Sequence, residues 1–165
     1  MNLIKLMSLI TLLAPLLGSL LAGLAGRQIG KKGSHWITII LMSISFVSAI
    51  SVLEMVIWNH QSFNGTLYTW GSSGSFQFNL GFLIDPLSVV MMALVTFVSL
   101  LVHLYSVGYM AEDPSNQRFF SYVSLFTFFM LLLVTANNFL QLFFGWEGVG
   151  LVSYLLIGFW FSKES

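Results

Sequence analysis

The chain has 165 residues, of which 57 % are hydrophobic and 7 % charged, with zero formal net charge and no cysteine. Soluble domains carry about 25 % charged residues, so this composition excludes one, and a mean hydropathy of +0.89 points to a polytopic membrane protein. Zero net charge offers no case for nucleic acid or an acidic substrate, and the lack of thiols excludes disulfides, Fe–S ligation and a thiol nucleophile.

The pattern predicts an all-α polytopic membrane protein in a single domain, residues 1–165, with about five helices and an outer β-hairpin between the second and third. The expected spans are about 3–26, 35–58, 86–107, 119–136 and 139–161, the fourth being short. Lys5 followed by an apolar stretch resembles a signal peptide, but the stretch exceeds an h-region of about 7–15 residues and further spans follow. It is therefore read as a helix. Within it, Gly18, Ala22 and Gly26 recur every four residues, a small-residue face suited to close helix approach, and Pro15 removes one backbone hydrogen bond.

Basic residues set the expected orientation. Arg27, Lys31 and Lys32 follow the first span, Arg118 follows the third and Lys163 the fifth, whereas Lys5 alone lies at the other side. The positive-inside rule then places the N-terminus outside. Trp36 and Trp58 bracket the second span and Trp160 closes the fifth, as interfacial anchors do. In the outer segment 59–85, the β-formers of residues 66–70 precede the turn signal Gly71-Ser72-Ser73-Gly74, and Phe76, Phe78, Leu80 and Phe82 then alternate. A hairpin is expected, with an apolar side that suits either a neighbouring subunit or the chain's own helices.

Each polar residue in the spans has a bland reading beside a chemical one. Asp85 before Pro86 is read as a helix N-cap. Glu54, one turn before Trp58, is read as reaching the interface. His103, towards the inner end of the third span, is either a proton relay or a satisfied interhelical hydrogen bond. Glu147 is the only ionisable group in the run 139–161, where a carboxylate costs about 2.5–3.5 kcal/mol on insertion scales. A functional role in ion or proton movement is therefore expected. Tyr154, two turns along the same face, is expected to carry a water chain away from Glu147. Gly145, Gly148 and Gly150 belong to no phosphate loop, since no strand precedes them and no Lys-Ser/Thr follows. They are expected to let another helix, or water, approach the carboxylate. No Lys or Arg lies deep in a span, so an ion-pair partner for Glu147 is expected on segments or subunits other than these.

Several stretches together carry a resemblance. Gly145-Trp146-Glu147-Gly148-Val149-Gly150 and the residues through Gly158 resemble the signature of the chain 5 (bacterial subunit L) family of respiratory complex I. Asp85-Pro86-Leu87-Ser88, His103-Leu104-Tyr105-Ser106-Val107-Gly108-Tyr109-Met110 and Arg118-Phe119-Phe120-Ser121-Tyr122 resemble the same family in the same order. The resemblance covers nearly the whole chain, weakest over the first sixty or so residues, and corresponds to the family's N-terminal region.

The resemblance implies an antiporter-like subunit of the membrane arm, part of a proton-translocating NADH:quinone oxidoreductase. Its partners would be the other membrane-arm subunits, the lipid bilayer and protons. NADH, flavin, Fe–S clusters and quinone would be handled elsewhere, leaving no cofactor or metal site in this chain. Glu147 matches the family's essential membrane glutamate, and the lysine proposed to pair with it has no counterpart in these residues. The expected location is the bacterial cytoplasmic membrane or the mitochondrial inner membrane. The alternatives are the large subunit of a multisubunit Na+/H+ antiporter and a non-transporting scaffold or assembly module.

Overall fold

The computed structural model describes residues 3–74 and 76–160. Phe161, Lys163 and the side chain of Phe76, on which some of the expectations above rest, lie outside the described residues. The helices are α1 (Leu3–Leu24), α2 (Gly26–Ile57), α3 (Pro86–Tyr109), α4 (Asn116–Val134) and α5 (Phe139–Ile157), with strands β1 (Phe63–Ser73) and β2 (Phe76–Ile84) between α2 and α3. All five helices are long and apolar enough to cross a membrane. At 1.5 Å per residue α4 and α5 are each about 28 Å long, close to the roughly 30 Å of a bilayer's hydrocarbon.

Two boundaries differ from those the pattern predicts. The basic stretch after α1 is not a loop. Arg27, Lys31 and Lys32 belong to α2, which is interrupted at Gly30 (φ 79°, ψ 174°). That left-handed backbone favours glycine, while the residues around it are adequate helix formers, so the chain breaks at one residue instead of unwinding. At the other end α5 stops at Ile157, several residues before the end of the apolar run, in a turn at Gly158.

α3 begins as its sequence dictates. Asp85 accepts from the Ser88 backbone N–H at 2.8 Å, and the Ser88 hydroxyl accepts from the Asp85 N–H at 2.8 Å. This reciprocal pair, with Pro86 at the first helical position, satisfies donors that the helix leaves open. Asp85→Ala removes one arm of the box and is expected to cost about 1 kcal/mol. Thermal unfolding of the detergent-solubilised subunit checks it, and an unchanged midpoint would contradict the capping role.

The helix bundle is organised around α4, which packs against α1, α2, α3 and α5. Its interior reverses the usual soluble pattern. Ser8, Thr11, Ser19, Ser45, Thr96, Ser121, Ser124 and Thr127 are buried, while many large hydrophobics such as Leu17, Val47 and Leu94 face outward. Without a hydrophobic force between helices in lipid, small residues and interhelical hydrogen bonds hold such bundles together. Ser45 donates to the Thr11 carbonyl at 2.6 Å, and Ser121 donates to the Ser19 carbonyl at 2.9 Å. Gly18 allows the α1–α2 approach, since a Cβ there would already lie 3.6 Å from the Thr38 Cα.

The hairpin is antiparallel, from Phe63 opposite Ile84 to Ser73 opposite Phe76, with irregularities between Thr66/Tyr68 and Thr69/Gly71. Gly74 (φ 60°) makes its turn. It docks on its own helices. Phe82 and Ile84 enter a core with Ile4, Val52, Val89 and Leu131. The Leu83 N–H donates to the Thr135 carbonyl at 2.9 Å just after α4 ends, and Lys5 lies 5.6 Å from the centre of the Phe63 ring. The hairpin and the start of α1 thus share one end of the bundle, opposite Arg27, Lys31, Lys32 and Arg118.

Candidate site in the membrane-spanning helices

Glu147 sits midway along α5. It is about eight residues, roughly 12 Å, from Phe139 and about ten residues, roughly 15 Å, from Ile157. Its side chain is exposed on the surface of the bundle. Among the described residues it has no hydrogen bond or ion pair.

What turns Glu147 outward is the packing of its neighbours. Gly145 and Gly148 face α4. A Cβ on Gly145 would lie 2.9 Å from the Leu133 backbone, and one on Gly148 would run into the Phe129 ring. These two glycines therefore serve the α4 contact and not access to the carboxylate, which corrects part of the expectation above. Gly150 alone borders open space. With Gly145 and Gly148 fixed against α4, the helix repeat directs Phe143, Glu147, Gly150, Leu151 and Tyr154 to the outer surface. Tyr154 is 74 % exposed there, two helical turns or roughly 10 Å from Glu147.

Each end of α5 is anchored. Asn138 caps its N-terminus by accepting from the Gln141 N–H at 2.9 Å, and Gln141 is itself buried and accepts from the Gly81 N–H of the hairpin at 2.9 Å. At the far end Trp160 donates to Asp113 at 2.8 Å, and the Arg118 guanidinium lies 4.8 Å from the centre of the Phe159 ring while donating to the Phe159 carbonyl at 3.2 Å. These contacts set the depth of Glu147. Gln141 and Asn138 went unremarked in the sequence; an asparagine followed three residues later by a glutamine, ahead of an apolar run, was the available signal of a helix start.

His103 lies elsewhere. It is fully buried between α3 and α4. Its Nδ1 is 2.8 Å from the Ser99 carbonyl, and its Nε2 is 2.9 Å from the Ser124 hydroxyl. Ser99 and Thr127 hydroxyls meet at 2.5 Å, Thr127 donates to the Val123 carbonyl at 3.0 Å, and the Ser99 hydroxyl also reaches the Met42 Sδ at 3.4 Å. Ser99 and Thr127 also line an otherwise mainly apolar groove of about 620 Å³ bordered by Val98, Val102, Phe126 and Leu156. Sequence reasoning singled out His103 but missed Ser124 and Thr127. Their spacing along α4, Ser121-Ser124-Thr127, was the available signal.

The three predicted residues therefore fall into two groups. Glu147 and Tyr154 share the outer face of α5. His103 is held in a hydroxyl cluster inside the bundle, and among the described residues no contact joins it to Glu147. Nor do those residues include a group of three or more His, Cys, Asp or Glu side chains able to hold a metal ion.

The family described as NADH-Ubiquinone oxidoreductase (complex I), chain 5 N-terminus matches residues 70–120. Similarity to individual proteins runs further. NADH-quinone oxidoreductase subunit L of Neisseria meningitidis serogroup B is 52 % identical over 159 residues, covering 95 % of this chain and 24 % of that protein. NADH-ubiquinone oxidoreductase chain 5 of Arabidopsis thaliana is 50 % identical over 157 residues, again 95 % of this chain and 24 % of the relative. That of Phytophthora infestans is 49 % identical over 158 residues, with the same coverage. The chain thus spans about a quarter of the length of these relatives. With bacterial and mitochondrial proteins matching half of its residues across nearly all of its length, and with the five helices and the hairpin in place, the chain belongs to the chain 5/subunit L family of complex I.

Proposed function

We propose that this chain is part of a proton-translocating, antiporter-like membrane subunit that couples NADH oxidation by quinone to proton export. Glu147 is its exchanging carboxylate, His103 a relay and Tyr154 a contact for the water chain. The observation that carries the reading is the placement of Glu147 midway along α5, on a face that none of the described residues covers. A carboxylate so placed answers to whatever packs against that face. An approaching cation favours its ionised form and an apolar surface its protonated form, so movement of the covering element changes its proton occupancy.

In this proposal the element that covers Glu147 comes from the further length of the subunit or from another membrane-arm subunit. NADH, flavin, Fe–S clusters and quinone belong to other subunits. The N-terminus and the hairpin face outside, with the basic end of the bundle inside. The clustering of Arg27, Lys31, Lys32 and Arg118 at that end supports this orientation. The membrane is the bacterial cytoplasmic or the mitochondrial inner membrane.

Complementation tests the proposal. The full-length subunit containing these residues is supplied to a bacterium deleted for its own subunit L, and NADH-driven acidification of inverted membrane vesicles is recorded. Restored, uncoupler-sensitive acidification together with NADH–quinone turnover supports the proposal. Assembly with restored turnover but no acidification would overturn it in favour of a scaffold role.

A further inference from the structure

The hydrogen-bond pattern around His103 makes its two ring nitrogens unequal. Nδ1 faces the Ser99 carbonyl at 2.8 Å. A carbonyl only accepts, so Nδ1 must carry a proton there, and in the neutral ring the lone pair then resides on Nε2. Nε2 faces the Ser124 hydroxyl at 2.9 Å. On the Nδ1 side Thr127 donates to the Val123 carbonyl, and the Ser99 hydroxyl, 3.4 Å from Nδ1, has both the Thr127 oxygen at 2.5 Å and the Met42 Sδ at 3.4 Å to donate to. Ser124 is buried, and its bond to Nε2 is the only side-chain hydrogen bond it makes among the described residues.

We propose that Ser124 is the positioning residue through which His103 exchanges its proton, with Nε2 as the only exchanging atom. This rests on the reading of His103 as a relay. With the ring neutral, the Ser124 O–H donates to Nε2. When a proton reaches the Ser124 oxygen, the hydroxyl's own hydrogen passes to Nε2, and the new Nε2–H donates to the Ser124 oxygen, which keeps the arriving proton as its hydroxyl hydrogen. When the proton leaves, the first arrangement returns, and nothing but that proton is gained or lost. A hydroxyl is both donor and acceptor and therefore serves both states. Without it, the protonated ring would hold an N–H in an apolar setting with no acceptor, which disfavours uptake.

The inference also gives direction to the cluster. Ser99 anchors the ring, and Ser99 and Thr127 border the groove between α3 and α4. Ser124 lies on the other side of the ring, one turn along α4 from the Ser121–Ser19 hydroxyl contact with α1 at 3.2 Å. The exchanging atom therefore looks into the bundle and away from the groove.

The test uses the assembled complex in vesicles, comparing Ser124→Ala, Ser124→Thr and His103→Gln by the initial rate of NADH-driven proton uptake and the accompanying NADH turnover, with assembly checked on native gels. Ser124→Ala is expected to slow proton transfer about tenfold, the change expected from losing one ordinary hydrogen bond in the transfer step. Ser124→Thr restores it, and His103→Gln shows a loss at least as large. A normal rate in Ser124→Ala alongside a loss in His103→Gln would overturn the inference and leave the relay standing. A normal rate in His103→Gln would overturn the relay and the inference with it. A loss in Ser124→Ala that Thr does not rescue would mark Ser124 as a packing residue and overturn the inference too.

Discussion

Glu147→Gln in the assembled complex is expected to lower NADH-driven proton movement at least about tenfold while leaving assembly intact. Gln has nearly the shape of Glu and keeps its hydrogen-bonding capacity, so the helix packs as before. It has one protonation state where Glu has two, so it cannot take up and release a proton as the covering element moves. Assembly should not suffer, because no described residue depends on the carboxylate for a hydrogen bond and its neighbours Gly145 and Gly148 hold α5 to α4 without it. Glu147→Asp keeps the chemistry but withdraws the carboxyl by one methylene, and an intermediate rate is expected. The initial rate of NADH-driven vesicle acidification, read alongside NADH turnover, distinguishes these variants. Unchanged pumping in the Gln variant would make Glu147 a structural hydrogen-bonding group.

Gly145→Ala is expected to be the most damaging small substitution in the bundle. Its added carbon would lie 2.9 Å from both the backbone nitrogen and the Cα of Leu133, at 3.0 Å from its Cβ. A helix backbone cannot yield as a rotating side chain does, so α4 and α5 must separate along their contact. Overpacking of this kind costs about 1–3 kcal/mol. It would also tilt the carboxylate two residues further along. Gly150→Ala is the matching control, because a Cβ there meets nothing within 4 Å, and the bundle's own stability should not change. Denaturant or thermal unfolding of the solubilised subunit, followed by tryptophan fluorescence, compares the two. Equal midpoints would show that α4 and α5 are not tightly seated at Gly145.

Much of the site was legible because a charge in hydrocarbon is conspicuous. Glu147 needs no alignment to be noticed, and its spacing to Tyr154 places both on one helix face. The hairpin was legible from alternation and turn residues, and the α3 start from Asp85 and Pro86. His103 was legible as a residue but not as an arrangement, since Ser124 and Thr127 belong to a different helix and only packing brings Ser124 to the ring and Thr127 to Ser99. The Gly30 break was not legible because the surrounding residues suit a loop or a helix equally well. The docking of the hairpin was not legible either, because an alternating apolar face fits a partner subunit as well as its own helices.

Composition and the length of the apolar runs by themselves determined the membrane class, the number of spans and the single carboxylate in the last of them, and period-two alternation with turn residues determined the hairpin between the second and third. In the structure the polar stripe Thr96-Ser99-His103-Ser106 of α3 turns inward, because hydrogen bonds between helices replace lost water. α5 has no such stripe. It is apolar nearly all the way round, so periodicity could not say which side meets α4. Only the tertiary structure decided that, through the two glycines that let Leu133 and Phe129 come close. Steric contact at Gly145 and Gly148, and not hydrophobicity, is what leaves Glu147 facing outward.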